Sequence, residues 1–86
     1  MRTAQTTKSV NPGGMDFTIG ISDYNSPGVP LAIASWSLTG SGVTAMSVYR
    51  AAIETKNGTQ QVNVAAKNTG SSAITVTAYV SVLFLE

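Results

Sequence analysis

From Ser72 to Glu86 the chain reads SAITVTAYVSVLFLE, and Ile74, Val76, Ala78, Val80, Val82 and Phe84 make every second position apolar. Successive side chains of a strand point to opposite faces. A period of two held over so many β-branched residues is therefore the pattern of a half-buried β-strand. The opposite face, Thr75, Thr77, Tyr79, Ser81, Leu83 and Leu85, begins polar and turns apolar toward its end. The end of this strand is expected to be covered on both faces, with Tyr79, Leu83 and Leu85 as the candidate contacts to another subunit.

Other segments repeat the motif between strong turn signals. Met1 to Gly14 is polar and ends in the breaker Asn11-Pro12-Gly13-Gly14, which reads either as a polar edge strand or as an N-terminal arm. A domain from 15 to 86 follows. Met15 to Ile21 sets Phe17, Ile19 and Ile21 on one face of a short strand. Ser22 to Pro30 is loop, because Pro27-Gly28 and Pro30 interrupt a ladder. Leu31 to Leu38 is a strand with Trp36 and Leu38 on one face and Leu31 and Ile33 on the other. Val43 to Thr55 has some helical spacing, but its alternation and hairpin-like flanks favour a strand bent or bulged near Arg50 to Ala52. Asn57-Gly58 is the dipeptide of a type I′ hairpin. It leads to Gln60–Asn68, with Val62, Val64 and Ala66 inward and Gln61, Asn63, Ala65 and Lys67 outward. A turn at Asn68–Ser71 opens the last strand. Five or six antiparallel strands with closely spaced turns describe an all-β fold, a small antiparallel β-sandwich of jelly-roll or lectin-like type.

Composition bounds the function. Charged residues are 10% of the chain against about 25% in an average domain. A surface made of Thr, Ser, Asn and Gln with apolar patches invites interfaces. Neither cysteine nor histidine is present, so Ser–His and Cys–His nucleophiles and Cys/His zinc sites are unavailable. The acids are Asp16, Asp23, Glu54 and Glu86, too few to point to an enzyme, and no cofactor is implied. A net charge of +1 without a basic cluster argues against nucleic acid. No apolar run approaches the roughly 20 residues that span a bilayer, and MRTAQTTKSV lacks the apolar core of a signal peptide. Location in a virion or outside the cell without a signal peptide is the expectation.

Sugar recognition uses an aromatic face beside hydrogen-bonding side chains. Tyr24 lies between Asp23 and Asn25 in the Pro-interrupted loop, where a side chain has no evident core to fill. Arg50 offers a planar fork suited to bidentate contacts. Trp36 shares a face with Leu38 and reads first as core. With Asp23, Tyr24, Asn25 and Arg50 it completes the candidate ligand-binding set. Tyr49 and Tyr79 read as packing aromatics. Asp23-Tyr24-Asn25-Ser26 supplies too few oxygen ligands for calcium and is explained as a turn, so no metal site is assigned. Asn57-Gly58-Thr59 matches a glycosylation acceptor, but its hairpin role explains it.

The run Val62-Asn63-Val64-Ala65-Ala66-Lys67-Asn68-Thr69-Gly70-Ser71-Ser72-Ala73-Ile74-Thr75-Val76, with its apolar terminus, resembles the end of C-terminal receptor-binding domains of bacteriophage tail-fibre and baseplate proteins. It is also similar to H-type lectin domains, antiparallel sandwiches that assemble as trimers and bind sugars near subunit boundaries. The resemblance covers Leu31 to Glu86. It implies a non-enzymatic virion module at the tip of a tail fibre or spike, a homotrimer that binds host surface glycan and belongs to a larger fibre protein. A structural trimerisation cap or capsid-decoration protein, and a free bacterial lectin or adhesin, are the alternatives.

Overall fold

The computed structural model describes residues 1–86. It is an all-β sandwich of six strands: β1 (Arg2–Val10), β2 (Gly13–Gly20), β3 (Val29–Thr39), β4 (Met46–Lys56), β5 (Thr59–Asn68) and β6 (Ile74–Leu85), with short 3-10 turns at Ile21–Tyr24 and Val43–Ala45. Three strands form one antiparallel sheet in the order β1-β6-β3 and three form the other in the order β2-β5-β4. The segment before the Asn-Pro-Gly-Gly breaker is edge strand β1. No helix is long and apolar enough to cross a membrane.

The core lies between the two central strands. Val76, Ala78, Val80, Val82 and Phe84 of β6 face Val62, Val64 and Ala66 of β5, and Val10, Phe17, Ile19 and Tyr24 fill the rim. Fully burying one Val- or Phe-sized side chain contributes about 1.5–3 kcal/mol. The alternation read from the sequence therefore specifies which face of each central strand turns inward. The same positions also fix register, since a slip of one residue would expose the whole apolar set.

One hairpin joins neighbours within a sheet, β4 to β5. Asn57 and Gly58 have φ values of 54° and 77°, the two positive angles of a type I′ turn, whose twist matches the strands it connects. Every other connection crosses from one sheet to the other, including the Asn68–Ser71 turn. At one end of the sandwich three crossings meet, held by two side chains. Buried Asn68 donates from Nδ2 to the carbonyls of Val10 (3.0 Å) and Ser72 (2.9 Å) and accepts the Gly70 N–H at 2.9 Å. Thr69 donates through both its backbone N–H and its hydroxyl to the Ala45 carbonyl, each at 2.8 Å.

Strand β3 departs from the regular alternation expected of it. Its register against β6 shifts between Pro30 and Ala32 and again between Ile33 and Ser35, leaving Leu31 and Ala34 as bulged residues. Pro30, Ile33, Trp36 and Leu38 then pair with Phe84, Val82, Val80 and Ala78 and share their inward face. Ile33, expected opposite Trp36 and Leu38, is thus on the same side, and Leu31 is exposed. Pro30 does not stop the ladder because β3 is an edge strand, where an absent N–H can face solvent. In β4 a similar shift falls between Val48 and Arg50 and bulges Tyr49 out of the ladder. Val43–Ala45, placed by the sequence in a continuous strand, is instead a 3-10 turn.

Candidate functional site

The five candidate ligand residues lie at three separate places. Tyr24 is core. The short turn Ile21–Tyr24 closes one end of the sandwich and leaves Tyr24 only 3% exposed, its hydroxyl donating to the Val80 carbonyl at 3.1 Å. Its ring meets Phe84 with centroids 5.7 Å apart, tilted by 54°. Burial, with the charge of Asp23 beside it, pushes the phenol up to about 12. The expectation that Tyr24 had no core to fill is corrected: the loop folds back onto one. Asp23 and Asn25 stay exposed on either side, and the Asn25 carbonyl accepts a hydrogen bond from Arg2 Nη1 at 2.9 Å. Arg2 also forks onto Glu86, with Nε and Nη2 at 3.0 and 2.9 Å from its two oxygens. This contact holds the Glu86 carboxyl below its usual range and raises the Arg2 guanidinium.

Trp36 faces inward by register but is 45% exposed. It sits on an edge strand, so the opposing sheet covers only part of its ring. The preference for a core Trp36 is corrected to a rim position. Arg50 is on the far side of the molecule, on the outer face of the β2-β5-β4 sheet. Its fork is turned onto its own sheet: Nη1 donates to Asn63 Oδ1 at 2.9 Å and Nη2 to Glu54 Oε2 at 3.0 Å. Gln61 Nε2 donates to the other Glu54 oxygen at 2.8 Å. The Gln61 hydrogen bond first, and Arg50 second, keep the Glu54 carboxyl below its ordinary value. Asn63, expected outward, points outward but is buried under this network.

The two outer faces differ sharply in charge. On the β1-β6-β3 sheet the outward register positions are Thr3, Gln5, Thr7 and Ser9 of β1, the odd-numbered residues Thr75 to Leu85 of β6, and Val29, Ala32, Ser35, Ser37 and Thr39 of β3. None carries a charge. Hydroxyl pairs bridge its strands, Thr3 with Ser81 at 2.6 Å and Thr7 with Thr77 at 2.8 Å. Toward the end of β6 the face becomes apolar: Leu83, Leu85 and Val29 are exposed together. Tyr79, Leu83 and Leu85, expected to meet another subunit, all lie here and are open in the single chain.

The outer face of the β2-β5-β4 sheet carries Asp16, Arg50, Glu54, Lys56 and Lys67 by register. Along β2 runs a shallow groove of about 630 Å³ lined by Lys8, Gly14, Asp16, Thr18, Tyr49 and Lys56 among others. The bulge in β4 aims Tyr49 across the sheet toward β2. Its hydroxyl lies 3.7 Å from the place a Gly14 Cβ would take, and Tyr49 is 66% exposed. Lys8 reaches round from the neighbouring edge strand, its Nζ donating to the Asp16 carbonyl at 2.9 Å. Sequence reading passed over this set. Its members come from three strands, and the bulge expected near Arg50 to Ala52 falls instead at Tyr49, which read as a packing aromatic. No group of His, Cys, Asp or Glu is placed to hold a metal ion. Comparison with protein-family models, curated proteins and solved structures returns no match.

Proposed function

We propose that this chain is a non-enzymatic, self-assembling virion module, a homotrimer at the tip of a phage tail fibre or spike that presents one sheet to a host surface glycan. The observation that carries the assembly half is the uncharged outer face of the β1-β6-β3 sheet in a molecule whose charges lie elsewhere. Burying an unpaired charge costs several kcal/mol, and interface centres are depleted in charged residues. A face free of them, with an exposed Leu83–Leu85–Val29 end, is prepared for a second and third copy of itself. Only 15 of 86 residues are buried in the single chain, and oligomerisation is how small domains without disulfides commonly gain core. The opposite sheet, polar and charged, then looks outward.

A purely structural cap is the second reading, favoured by the burial of Tyr24 and the dispersal of Asp23, Trp36 and Arg50. Native mass by light scattering after size exclusion tests the shared assembly step. A trimer is expected, and a monomer at micromolar concentration would overturn it. A glycan array then separates the readings: bound glycan supports the receptor-binding module and a blank array the cap.

A further inference from the structure

We infer that the groove along β2, walled by Tyr49 and rimmed by Asp16, Thr18, Lys8 and Lys56, is a binding site for an acidic saccharide, one bearing a carboxylate such as a uronic or sialic acid. The inference rests on the glycan-binding reading above and gives it a place, which the dispersed candidate residues do not.

Three features carry it. First, Tyr49 is set for contact rather than packing. It is the extra residue of a β-bulge, a device that re-aims a side chain out of a sheet. Its ring stays open to solvent, and its hydroxyl lies beside Gly14. An exposed aromatic beside a small residue offers a flat apolar wall to the C–H face of a sugar ring. Second, the wall stands beside a mixed polar rim. Asp16 can accept hydrogen bonds from sugar hydroxyls, Thr18 can donate or accept, and both project outward from the same strand at alternate positions.

Third, the charge balance selects the ligand class. The groove and its face bring together Lys8, Arg50, Lys56 and Lys67 against Asp16 and Glu54. Glu54 is already paired with Arg50. Lys8 and Lys56 line the groove itself, so it keeps a positive surplus that a neutral sugar leaves unused and a carboxylate answers. Because these charges are exposed, the attraction should be screened by salt.

The test is an array of sialylated, uronic-acid-containing and neutral oligosaccharides, probed with the intact protein and with Tyr49→Ala and Lys56→Gln. Native mass and circular dichroism are followed in parallel. The expected result is capture by acidic glycans that weakens at high salt, falls at least about tenfold in Tyr49→Ala and falls less in Lys56→Gln, with mass and spectrum unchanged. Capture of neutral glycans alone, or acidic capture that survives Tyr49→Ala, would overturn this site while leaving the glycan-binding reading intact. An empty array with the oligomer intact would overturn both the site and the glycan half of that reading. Should Tyr49→Ala disturb the fold, Tyr49→Phe and Lys56→Glu replace it. Loss of acidic capture in Lys56→Glu with retention in Tyr49→Phe supports the site, and full retention in both overturns it.

Discussion

Single side chains decide where this small core is tied together. Tyr24 combines a ring packed on Phe84 with a hydroxyl donated to Val80, so both ends of the residue are satisfied inside the protein. Its folded pKa of about 12 lies above the value near 10 of an unfolded tyrosine. The folded form therefore holds the proton more tightly. Its stability is intact below pH 10 and declines as pH rises toward 12, by roughly 2–3 kcal/mol for this one group. Tyr24→Phe is expected to cost about 1 kcal/mol at neutral pH, the net value of one hydrogen bond, and to remove most of that alkaline loss. Denaturant unfolding at pH 8 and pH 11.5 measures both. Asn68 is the other such residue. Asn68→Ala would strip partners from two carbonyls and one N–H at the crossings, and roughly 2–4 kcal/mol of destabilisation is expected by the same unfolding assay.

The strands themselves show which structural rules act locally. The alternation in β5 and β6 and the Asn57-Gly58 turn are legible because each depends on residues adjacent in sequence. The bulges at Leu31 and Ala34 are not, and the irregularity expected near Arg50 to Ala52 falls at Tyr49, because a bulge is a mismatch between a strand and its partner and its place is fixed only once the partner is chosen. This is why Ile33 came out on a face the simple period did not predict. The β3–β4 crossing tests how tightly such corners are built. Gly40 has φ of +145°, and a Cβ there would fall 2.4 Å from the Thr75 carbonyl oxygen. Gly40→Ala should therefore lower the unfolding midpoint, by roughly 1–3 kcal/mol of stability, through backbone strain and displacement of β6. An unchanged midpoint would show that the corner gives way freely.

The molecule as a whole is defined by its two unlike faces. A standard interface removes about 800 Å² per partner, close to a sixth of the 4812 Å² this chain exposes. The uncharged outer face of the β1-β6-β3 sheet is the surface that can lose water at least electrostatic cost. Leu83→Glu sets one carboxylate in the middle of its apolar end, on a side chain already 46% exposed. The expected outcome is dissociation to monomers in light scattering with little change in circular dichroism. Unaltered mass would place the contact on another surface. The chain by itself determined the all-β class, the inward faces of the two central strands and the one tight hairpin, since alternation and turn chemistry act between near neighbours. Only the tertiary structure decided that Tyr24 is core, that Trp36 is rim, that Tyr49 stands free, and that the outer face of the β1-β6-β3 sheet carries no charge. Each of those depends on which distant strands pair, in what register and in which sheet, and such pairing is set by the packing of the whole core.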